Sequence, residues 1–63
     1  MNFEILVPLG REVDWVAVNG LTLPRESLMT THILPGQGFE VQSWVLPQGM
    51  SEPSWITITF KPR

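Results

Sequence analysis

The chain reads as an all-β or mainly β domain, a small antiparallel sheet or partly open barrel of four to five strands with at most one short helical turn near residues 24–29. Three observations lead there. Runs rich in β-branched and aromatic residues recur between Pro and Gly breakers, an Asn-Gly pair sits between two such runs, and no segment sustains a 3.6-residue apolar period. One domain, residues 1–63, accounts for the whole chain, because a protein this short still exposes about 40% of its unfolded-state surface after folding and has no room for a second core.

Taken in order, NFEILV (2–7) is a strand that stops at Pro8, with Gly10 close behind. EVDWVAV (12–18) is the second, and it ends at Asn19-Gly20, where both positions tolerate the positive φ of a tight hairpin turn. Its partner is LTL (21–23), cut short by Pro24, which has no amide hydrogen for a ladder. Pro24 at a first helical position, followed by Arg25, Glu26, Ser27, Leu28 and Met29, permits one helical turn before Thr30 and Thr31 discourage it. HILPGQG then reads as a Pro35-Gly36 turn. FEVQSWVL (39–46) is the clearest long strand, with Phe39, Val41, Ser43 and Val45 on one face and Glu40, Gln42, Trp44 and Leu46 on the other. PQGMSEP (47–53) is a loop, and SWITITF (54–60) is a half-buried strand with Ile56, Ile58 and Phe60 on its apolar face.

Composition excludes several function classes. With no cysteine and His32 as the only imidazole, the chain cannot build a disulfide framework and is a poor candidate for structural zinc. A net charge of -2, with Arg11, Arg25, Lys61 and Arg63 as the only cations, writes no phosphate-neutralising patch, so nucleic acid is not an expected partner. No apolar run approaches the ~20 residues of a membrane span. The Met1-Asn2-Phe3-Glu4-Ile5 start lacks the basic stretch of a signal peptide, which places the protein in a cytoplasm, bacterial or of an infected cell.

The reactive side chains are scattered. His32 is a candidate general base only as a lone loop histidine, and Ser27, Ser43, Ser51 and Ser54 lack a nucleophile-elbow context. Glu12 and Asp14, two apart in a strand, project from one face, but two carboxylates are too few for a metal site. No catalytic residue, metal site or cofactor is therefore assigned, and the reading is not an enzyme. The tryptophans are more informative. Trp44 and Trp55 fall opposite the apolar faces of their own strands, where they form either a partner surface or a second small core through cross-strand pairing.

VAVNG (16–20), Pro24-Arg25, Leu34, Gly36 and FEV (39–41) together resemble the C-terminal half of the ubiquitin-like β-grasp sulfur carriers of thiamine biosynthesis, and more loosely those of molybdopterin biosynthesis. The resemblance covers residues 16–46. It implies a β-grasp relative, yet the family's terminal Gly-Gly is replaced by Gln48-Gly49 followed by fourteen residues, so a thiocarboxylate would require cleavage after Gly49. The family's N-terminal hairpin and crossover helix also have no counterpart in the fifteen residues before Val16.

The sequence thus favours a non-enzymatic protein–protein interaction module of the size of phage or mobile-element accessory and inhibitor proteins. It is expected to be a homo-oligomer, because unpaired strand edges and three tryptophans around a marginal core favour burial against another surface. Trp15, Arg25, Trp44 and Trp55 are the expected partner-binding residues. The alternatives are a sulfur-carrier relative processed after Gly49, and a weak single-strand nucleic-acid binder stacking bases on Trp44 and Trp55.

Overall fold

A computed structural model describes residues 1–47, 49 and 55–63. They form six strands: β1 (Asn2–Pro8), β2 (Arg11–Val18), β3 (Leu21–Thr22), β4 (Leu28–Leu34), β5 (Phe39–Val45) and β6 (Ile56–Pro62). Two three-stranded antiparallel sheets result, ordered β1-β5-β4 and β3-β2-β6. The class is mainly β, as the alternation and turn residues require. A single 3-10 turn, Arg25–Ser27, lies between β3 and β4, closed by the Ser27 N–H donating to the Pro24 carbonyl at 3.0 Å.

Each sheet owes its boundaries to local chemistry. At Leu9-Gly10 the chain leaves the first sheet for the second, and Gly10 has φ +89°, a conformation costly for any residue with a Cβ. Asn19 (φ 52°) and Gly20 (φ 84°) make the tight turn between β2 and β3 with both central residues left-handed. Pro8 and Pro62 each close a strand at a sheet edge, where a missing N–H leaves no ladder bond unmade. Two backbone bonds carry the ladders one residue past the strands at this end, Leu9 N–H to the Gly38 carbonyl (3.0 Å) beyond the β1–β5 pair and Arg63 N–H to the Gly10 carbonyl (3.1 Å) beyond the β2–β6 pair.

The core fills the space between the sheets. Ile5 and Val7 from β1, Val13, Val16 and Val18 from β2, Leu23, Trp44 from β5 and Leu46 are buried together, with Phe3, Leu28, Ile58 and Phe60 packed around them. Val7, Val16 and Val18 are sealed completely, and each such valine contributes about 1.5–3 kcal/mol relative to exposure. A bulge between Val13 and Trp15 is essential to this arrangement. Strict alternation from Val13 would send Trp15 and Ala17 inward. The extra residue instead puts Val13, Val16 and Val18 inside and turns Trp15 out.

Three expectations need correction. There are six strands rather than four or five, because residues 28–34 form β4 instead of a helical turn running into a loop. β4 shows no alternation, since its two end residues are half-buried and all five between them are exposed. Secondly, Glu40, Gln42 and Trp44 of β5, and Leu46 after it, face the interior, so Trp44, expected among the partner-binding residues, is a core residue only 4% exposed. The large indole outweighs the smaller apolar residues of the other face, and its polar neighbours are satisfied. Its Nε1–H donates to Gln42 Oε1 at 3.0 Å, and the buried Glu40 Oε1 accepts from Arg63 Nη2 at 3.1 Å. Thirdly, the last strand is shifted to 56–62. The expected loop 47–53 lies outside the described residues except at Pro47 and Gly49, as does Ser54.

Candidate functional site

The outward face of the β3-β2-β6 sheet carries two of the four expected contact residues. Its rows follow from the register: Glu12 opposite Lys61, Trp15 opposite Thr59, and Ala17 between Thr22 and Thr57. One row further, Asn19 N–H donates to the Trp55 carbonyl (3.1 Å) and the Trp55 N–H donates to Asn19 Oδ1 (3.1 Å), so Trp55 is fixed to the end of β2. Trp15 and Trp55 are 41% and 57% exposed. They bracket a strip floored by Ala17, Thr57 and Thr59, about 13 Å long at the rise of a strand. Thr59 Oγ1 is buried there and has no hydrogen-bond partner among the described residues.

The strip has an electrostatic end. Lys61 Nζ lies 3.7 Å from Glu12 Oε1 and 3.9 Å from Asp14 Oδ1, beside Trp15, which leaves one negative charge in excess. The two acids share a face as expected, and the lysine holds both. At these separations and exposures the ion pairs are solvated and weak. They make the Trp15 end of the strip the acidic one.

Arg25 is exposed in the 3-10 turn, makes no ion pair among the described residues, and is not brought to the strip by any described contact. Trp44 sits in the other sheet with its indole in the core, so no Trp44–Trp55 pair exists. His32 is exposed on β4, opposite Val41, and none of the ion pairs or side-chain hydrogen bonds among the described residues gives it a carboxylate to orient a general base. Among the described residues no three His, Asp or Glu converge as a metal site, no pocket opens, and no helix is long and apolar enough to cross a membrane.

No family model, curated protein or solved structure matches the chain. The site is accordingly defined by geometry alone. A second apolar area, absent from the sequence-based expectation, lies on the outward face of the β1-β5-β4 sheet, where Pro8, Phe39 and Leu34 form one row and Leu6, Val41 and His32 the next. The signal for it was available in Leu6 beside Val7, where alternation breaks and an apolar residue must face outward.

Proposed function

We propose that the protein is a non-enzymatic protein–protein interaction module that docks a partner on the Trp15–Trp55 strip. The observation that carries this reading is the placement of two half-exposed tryptophans on one sheet face with a floor of small residues between them. Tryptophan concentrates binding energy because it supplies a large apolar area at little rotamer cost, and small neighbours let a partner approach the backbone. The partner chemistry that fits is an apolar segment with a basic residue at the Glu12–Asp14 end.

Neither alternative gains similar support. A base-stacking surface built on Trp44 and Trp55 would need Trp44 to leave the core. A carrier released by cleavage after Gly49 would give up β6, whose Ile58 and Phe60 pack on the core. The test is a photoactivatable amino acid at Thr57, between the tryptophans, introduced in the cells that make the protein. A discrete cross-linked partner that disappears on Trp15→Ala or Trp55→Ala is expected. Equal labelling with and without the tryptophans would overturn the assignment.

A further inference from the structure

Four strand edges bound the two sheets, and three of them are blunted. β1 carries Glu4 and ends at Pro8, β3 is two residues long with Pro24 close behind, and β6 carries Lys61 and ends at Pro62. β4 has neither, and its one irregularity is a bulge confined to its Leu28–Thr30 end. Leu28–Leu34 is seven residues without proline, Lys, Arg, Asp or Glu, and its outer side pairs with no strand among the described residues. Natural proteins protect edges of this length because their open N–H and C=O groups template another strand.

We infer that β4 pairs with β4 of a second copy, antiparallel, about a two-fold axis at His32. The register is decided by the strand itself. Its bulge is confined to Leu28–Thr30, so Thr30–Leu34 stays in unbroken register with Ser43–Phe39, and His32 is the midpoint of those five residues. Centring on Thr31 would set Met29 opposite Ile33. Met29 Sδ, however, takes the Asn2 Nδ2 hydrogen bond at 3.3 Å, and Asn2 belongs to the outward face, whereas Ile33 pairs with Glu40 on the inward one. Centring on Ile33 would bring Pro35 into the ladder, where it has no N–H to give.

About His32 every pair matches in face. Thr30 meets Leu34 of the other copy on the outward side, and Thr31 meets Ile33 on the inward side, with no formal charge opposed to another. Ile33, 61% exposed in one copy, is thereby partly covered, and a continuous six-stranded sheet forms in the order β1-β5-β4-β4-β5-β1. One edge is a small interface, below the roughly 1,200 Å² of standard complexes, so the dimer dissociates at micromolar concentration. A second copy is favoured over a foreign strand because neutral meets neutral in a register that β4 itself satisfies.

The test uses the full chain, which has no cysteine of its own. Sedimentation equilibrium at about pH 8, from about 1 to about 300 micromolar, should show monomer and dimer in exchange. His32→Cys should oxidise to a covalent dimer at least about tenfold faster than Thr31→Cys, whose two sulfurs lie off the axis. Ile33→Lys should weaken the dimer at least about tenfold with an unchanged far-ultraviolet circular dichroism spectrum. Trp55→Ala should leave it intact, which separates this contact from the partner strip. A monomer throughout, a dimer insensitive to Ile33→Lys, or equal oxidation at positions 31 and 32 would each overturn the inference. Should Ile33→Lys fail to fold, the two cysteine variants still decide.

Discussion

Replacing Trp44 by phenylalanine tests the interior directly. Trp44 is 4% exposed and its indole N–H is the hydrogen-bond partner of buried Gln42 Oε1. A phenyl ring in its place would leave that oxygen without its donor, at about 1–3 kcal/mol. The smaller ring also gives up roughly 40 Å² of buried apolar surface, about 1 kcal/mol at the usual coefficient. The sum, about 2–4 kcal/mol, is a large part of the roughly 3–9 kcal/mol that a domain of this length commands. With a urea slope near 1 kcal/mol/M, the unfolding midpoint should fall by about 2–4 M. Trp55→Phe should move it by less than about 0.5 M, since Trp55 is exposed and its bonds to Asn19 use only its backbone. Adding Gln42→Leu to Trp44→Phe should restore part of the loss by removing the orphaned acceptor. Equal midpoints for Trp44→Phe and Trp55→Phe would refute the reasoning, because they would mean that the two indoles have the same environment.

Three further perturbations have defined outcomes. Asn19→Ala should cost about 1–2 kcal/mol in urea unfolding, because alanine is strained at φ 52° and the Trp55 N–H loses its acceptor. Arg63→Ala should cost about 1–2 kcal/mol by the same assay, less than for a fully buried pair because the guanidinium is half in water while only the Glu40 carboxylate is enclosed. Lys61→Met should change stability by less than about 0.5 kcal/mol, with or without high salt, since its ion pairs are long and solvated.

The sequence made the fold class readable because its turn residues are unambiguous. Asn19-Gly20 and Pro35-Gly36 permit few conformations, and the half-buried alternation of Ile56, Ile58 and Phe60 points one way. What escaped was information held in contacts. β4 leaves no periodic trace, as a strand exposed on both faces has no reason to alternate. The buried face of β5 stayed open because counting apolar residues cannot weigh one tryptophan against several smaller side chains, nor foresee that Arg63 and Trp44 would satisfy Glu40 and Gln42. Parity set Trp55 opposite the apolar face of its strand but left its exposure open, and it is 57% exposed. Trp15 could not be placed that way, since a one-residue bulge reverses parity within its strand.

The register of the sheets also sets the order of events as the chain folds. β1 reaches its partner across 43 residues, from Asn2 to Val45, and β2 reaches β6 across 51, from Arg11 to Pro62. Both closures lose much chain entropy before they gain contacts, so the molecule belongs with the slower, millisecond-to-second folders despite its size. The β4–β5 hairpin, closed by four residues between Leu34 and Phe39, has no such barrier and forms within about 1–10 μs. Contacts between β4 and β5 are thus expected ahead of the long closures, while the uncharged β4 edge and the β1 side of β5 are both still open. Refolding yield should therefore fall with protein concentration more steeply than the stability of the finished fold would suggest.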